Sequence, residues 1–198
     1  ITTDAPLYNG TFFIPVPDDP AGNSPMVSAF SSNTMNGVPQ TWDTILFDTG
    51  KSTLLKITVP TVIPREGTTV SHPSTVVFSS ETASPSPVDT VNPVEKSLMF
   101  RPVQDLKEKA CSQERAGGSA RCFTYTTAVY AEYQTAADTT VTITSSITGK
   151  NSWTVFEPRS NEYHTDISLI MNGEHHGWAM PDGELTTGFG TYTLVGGS

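Results

Sequence analysis

From 139 to 147 the chain alternates apolar and hydroxylated residues, with Val141, Ile143 and Ile147 interleaved with Thr140, Thr142, Thr144 and Ser146. A period of two is the geometry of a strand with one face buried and the other wet, and β-branched side chains fit a pleated surface better than a helix. The same period runs over 123–133, where Phe123, Tyr125, Thr127, Val129, Ala131 and Tyr133 share one face. Further strands are expected over 12–16, 44–47, 52–59, 153–157, 166–171 and 185–195, with Asn172-Gly173 and Asp182-Gly183 as turns between the last of them. The expectation is a mainly β, antiparallel sandwich or barrel-like domain over residues 1–198, with a proline-rich loop or linker around 79–94. One short helix is expected at Pro102, which stands where an N1 proline would. Val103, Leu106 and Ala110 would share its face and Gly117-Gly118 would stop it.

At 198 residues the chain is long enough to bury a core without a metal or a cystine lattice. Only 16% of its residues are charged, and the formal net charge is −9. That balance opposes phosphate neutralisation, so nucleic acid is not an expected partner. No run approaches the ~18 apolar residues of a membrane span, and no membrane insertion is expected. The start at Ile1 suggests a processed protein or a domain of a longer parent. Cys111 and Cys122 flank a polar stretch that could double back and bring them together, which favours a bridge over two separate thiols. A bridge would argue for an extracellular or virion-surface setting. Asn9-Gly10-Thr11 forms a sequon for N-glycosylation, a short pattern with a high chance rate.

The sharpest chemical motif is Thr44-Ile45-Leu46-Phe47-Asp48-Thr49-Gly50, an apolar strand running into Asp-Thr-Gly. It resembles the active-site strand of aspartic proteases, in which two carboxylates share a proton and activate a water. The resemblance implies Asp48 as half of an intermolecular dyad, Thr49 orienting it and Gly50 allowing the turn. That chemistry needs two such motifs and this chain has one; Lys51 follows it where the family has Ser or Ala, and Leu169-Ile170-Met171-Asn172-Gly173 matches the later apolar-apolar-Gly element poorly. The plainer reading is a strand ending in a turn, since Asp and Gly suit turns. Gly50-Lys51-Ser52 also has the ending of a phosphate loop, but Ile45 stands where its first glycine should, and a strand follows rather than a helix, so nucleotide binding is rejected. His164 and Asp166 should face the same way on a strand, and the adjacent His175 and His176 opposite ways. With Glu162 and Glu174 they would bind a metal only if hairpins converged, so no metal or other cofactor is expected. His72 is placed in a polar loop.

The Ser/Thr/Pro-rich strands, the acidic balance, the small-residue end Gly196-Gly197-Ser198 and the Ile45–Gly50 run together resemble protruding domains of capsid proteins from tetravirus-like, non-enveloped RNA viruses. The resemblance implies a β-rich spike on the virion surface, with other capsid copies as homo-oligomeric partners and a host cell-surface receptor or glycan as target. The absence of a complete catalytic set favours that attachment role over an aspartic-type endopeptidase. A secreted carbohydrate-binding module is the remaining alternative, with Trp42, Trp153 or Trp178 stacking on sugar faces where they are not core residues.

Overall fold

The computed structural model describes residues 1–24, 26–31, 36–50, 52–64, 74–77, 79, 81, 83, 87–111 and 120–190. The alternating segments pair antiparallel throughout, so the mainly β, antiparallel expectation holds. The larger sheet runs in the order β6 (Ser74–Thr75), β1 (Thr2–Thr3), β11 (Thr140–Val155), β12 (Glu157–Asn172), β14 (Asp182–Gly190), β9 (Arg121–Thr126) and β8 (Gln104–Lys109). The smaller runs β13 (His175–Ala179), β10 (Val129–Gln134), β2 (Leu7–Pro15), β5 (Thr53–Val62) and β4 (Asp43–Asp48). A two-stranded ribbon of β3 (Pro17–Asp18) and β7 (Met99–Phe100) belongs to neither sheet and adds Met99 and Phe100 to their core.

The two sheets share one core. Leu7, Phe12, Ile57 and Val59 from the smaller sheet and Ile143, Tyr163, Ile167 and Leu185 from the larger are all at most 1% exposed. Each such side chain contributes on the order of 1.5–3 kcal/mol by leaving water. Residues on both sides of the proline-rich segment enter this core. Thr90, at the end of that segment, is itself buried and accepts a hydrogen bond from the Gly188 amide.

Several sequence expectations are corrected by pairing. The run 123–133 is two strands, not one: β9 belongs to the larger sheet and β10 to the smaller, and the chain changes layer at Thr127 and Ala128 without losing its buried parity. The run 139–147 extends through 153–155 as the sixteen-residue β11, which zips to β12 from Thr140↔Asn172 to Val155↔Glu157; the expected strand 153–157 is thus split by the turn at the fully exposed Phe156, with Glu157 opening β12. Asp182 and Gly183 are not a turn but the start of β14. The expected helix at Pro102 is the edge strand β8, because Lys107, Glu108 and Lys109 pair with Thr124, Phe123 and Cys122, and the positive φ of Asp105 is incompatible with a helix. The helices lie elsewhere, at α1 (Met26–Ser31) and α2 (Pro93–Lys96), the latter with a proline in its first turn. Gly117, Gly118, His72 and the 191–195 end of the last expected strand lie outside the described residues.

Two glycines let tyrosines lie flat across the larger sheet. Gly149 is paired with Tyr163 and Gly183 with Tyr125, and a Cβ on either glycine would sit inside the van der Waals envelope of its partner's ring. The rings are locked at their far ends: Tyr163 donates to the Leu98 carbonyl at 2.8 Å, and Tyr125 shares a 2.7 Å bond with Thr165 Oγ1. Burial pushes both phenols up to about 12. Gly149→Ala should therefore destabilise the domain by roughly 1–3 kcal/mol, as overpacking against an anchored ring does. Urea unfolding measures this, and an unchanged midpoint would mean that Tyr163 swings clear.

Candidate functional site

The Asp-Thr-Gly motif closes the β4–β5 hairpin. Strand pairing ends at Asp48↔Thr53, and Gly50 takes a positive φ of 74° in the connection. Asp48 is exposed, and its Oδ1 accepts the Gly50 amide at 2.7 Å. Thr49 Oγ1 donates to the Ser52 carbonyl at 2.8 Å and accepts the Ser52 amide at 3.0 Å. These are the bonds of an Asx turn and a threonine-capped loop, and they account for all three residue types without chemistry. Lys51 lies outside the described residues. Leu169 to Gly173 falls at the end of β12 in the other sheet.

Cys111 and Cys122 are joined in a disulfide, with Cα atoms 5.2 Å apart. The bridge fastens the end of β8 to β9, where the exposed ion pairs Lys109–Glu184 and Arg121–Glu108 also cluster. Closing so short a loop contributes on the order of 2–3 kcal/mol. His164 and Asp166 do face the same way, Nε2 to Oδ1 3.4 Å, on β12. His175 turns inward against Tyr133 while His176 points out beside Glu132. Glu162 instead approaches Lys150, and among the described residues no three histidine, cysteine or carboxylate groups converge as a metal site would require. Of the tryptophans, Trp42 is core at 6% exposure, Trp153 is half-buried, and Trp178 is 59% exposed.

Trp178 is the end of a row that crosses the outer face of the smaller sheet. Strand register places it opposite Tyr130, Tyr130 opposite Phe13, Phe13 opposite Lys56, and Lys56 opposite Ile45, one residue from each of five strands. The rings touch in sequence: Trp178 meets Tyr130 edge to face at 5.5 Å, Tyr130 meets Phe13 at 5.6 Å, and Phe13 meets the exposed Phe47 at 6.2 Å. The Lys56 ammonium sits 5.9 Å over the Phe13 ring. No protein-family model, curated protein or solved structure matches this chain.

A second row runs beside the first, one rung along: His176, Glu132, Thr11, Thr58 and Asp43, again one residue per strand. Glu132 joins the two rows, because Tyr130 donates its hydroxyl to Glu132 Oε2 at 2.8 Å and His176 Nε2 lies 3.6 Å from Oε1. That hydrogen bond holds the Tyr130 phenol above its ordinary range, since ionisation would place two anions together. Both rows use the positions left outward when Leu7, Phe12, Ile57, Val129 and Ala131 turn to the core. The parity of 123–133 already assigns Tyr130 and Glu132 to the outer side. What sequence does not give is the register among distant strands that aligns them.

One buried carboxylate also escapes a sequence reading. Asp18 is fully buried in the β3–β7 ribbon, its Oδ2 accepts the Thr53 amide at 2.6 Å, and its Oδ1 has no protein partner among the described residues. Burial raises its pKa above the usual 3.8, outweighing the Thr53 amide and the nearby Arg101 guanidinium, while Asp19 adds to the rise. A raised value means the native state holds the proton more tightly than the unfolded chain. The stabilisation is complete below pH 3.8 and is lost as pH climbs through the native value. Asp18→Asn should flatten that part of the pH–stability curve, read as the difference between the two proteins in urea titrations. Identical pH slopes would show that Asp18 does not titrate in this way.

Proposed function

We propose that this chain is a non-catalytic attachment domain, the protruding domain of a tetravirus-like capsid protein, displayed on the virion surface among other capsid copies and contacting the host cell surface. The observation that carries the reading is the aromatic row: a monomer gains nothing in solubility by leaving Trp178, Phe47 and Ile45 each more than half exposed on one sheet face. Aromatic anchors of this kind dominate binding energy where surfaces meet. They sit on rigid strands backed by a packed core, so little ordering cost falls on binding.

The disulfide agrees with an extracellular setting. The exposed, turn-forming Asp48 supports a structural part for the Asp-Thr-Gly run in this reading.

The test is attachment. The purified domain should bind permissive cells and compete with intact particles, Trp178→Ala should weaken binding about tenfold, and Asp48→Asn should leave it unchanged. Particles that infect equally well without the domain would overturn the proposal. Peptide cleavage that disappears in Asp48→Asn would overturn it in favour of a protease.

A further inference from the structure

The two rows differ in chemistry in a way that selects a ligand. One is a line of ring faces and edges formed by Trp178, Tyr130 and Phe13, and the other, one rung away, carries carboxylate, imidazole and hydroxyl groups from Glu132, His176 and Thr11. A molecule seated across both must be apolar on one face and hydroxylated along its rim. A pyranose ring has that form: its axial C–H groups lie on an aromatic surface, and its equatorial hydroxyls both donate and accept. An aliphatic or aromatic peptide side chain would cover the first row and bring Glu132 no donor beyond the Tyr130 hydroxyl it already has.

Charge narrows the class. The chain carries a net −9, Glu132 and Asp43 lie along the polar row, the Lys56 ammonium of the aromatic row is engaged over Phe13, and the His176 ring lies beside Glu132. An anionic sugar would meet the Glu132 and Asp43 carboxylates, and among the described residues of the two rows the one ammonium, Lys56, is already placed over Phe13. The rows cross five strands, about 19 Å at the usual strand spacing, which is long enough for several sugar units in line. On the reading that this face is the attachment surface, we infer that its ligand is a neutral glycan, lying across the strands along the Trp178, Tyr130 and Phe13 row with its hydroxyls toward Glu132 and Thr11.

The experiment uses the intact chain and neutral hexasaccharides of glucose, mannose, galactose and N-acetylglucosamine, with sialyllactose and a heparin hexasaccharide as anionic arms. Calorimetry and tryptophan fluorescence are the readouts. Saturable binding to at least one neutral oligosaccharide is expected, weakened about tenfold in Trp178→Ala and largely retained in Trp178→Phe, which keeps a ring. Glu132→Gln should weaken binding severalfold by removing the charged acceptor. Near-ultraviolet circular dichroism checks that each variant is folded, and Trp178 is exposed enough for its replacement to be tolerated.

Absence of neutral-sugar binding, or binding indifferent to Trp178→Ala, overturns the inference. So does tighter binding of either anionic arm, or a self-association in sedimentation that Trp178→Ala abolishes, which would make a second copy the occupant. Cell attachment without sugar binding would sink this inference and spare the attachment reading. Sugar binding without cell attachment would do the reverse.

Discussion

The fold depends on one constraint: the central strands of both sheets must turn alternate side chains into a shared gap while the chain passes repeatedly between the sheets. The passage from β9 to β10 shows how the constraint is met. Tyr125, Thr127, Val129, Ala131 and Tyr133 remain buried although the first is in the larger sheet and the last three are in the smaller. The crossing at Thr127 and Ala128 preserves parity, so one alternating run of sequence serves both layers. Had the crossing inserted an odd residue, Tyr130 and Glu132 would face the core, where an unpaired carboxylate is costly.

Buried tyrosines anchor both sheets, Tyr125 and Tyr163 in the larger and Tyr133, stacked on Phe12, in the smaller, yet the two outer faces are unlike. Across the larger sheet the outward positions of β11 and β12 are mostly hydroxyls and ion-paired groups, such as Thr148 bonded to His164 and Lys150 beside Glu162. Across the smaller sheet a row of rings lies beside a polar one. Both faces obey the same parity, so the difference is a choice of residue type rather than a demand of the fold.

Fold class was legible because a period of two survives any topology. The strands around 12–16, 44–47 and 166–171 stand where the alternation puts them, inside β2, β4 and β12. The failures share a physical origin. Pro102, Leu106 and Ala110 satisfy a local helix pattern, but edge pairing with β9 and the tether at Cys122 decide in favour of a strand, and neither can be read from six residues. Gly183 looked like turn chemistry and is instead the flat place beneath Tyr125, a role visible only once Tyr125 is known to be its neighbour. The candidate site was half legible in the same sense. Trp178 stood out by type and Tyr130 by parity, but Phe13 and Lys56 became part of it through pairings between strands far apart in the chain.

Because the outer rows run across the strands rather than along one, each strand supplies a single residue to each. A slip of one residue in any strand would turn its contributor inward, and a slip of two would carry it about 6.7 Å out of line. A molecule spanning the row would thus check four strand-to-strand registers at once, and its affinity would double as an assay of whether the sheet has been assembled in frame.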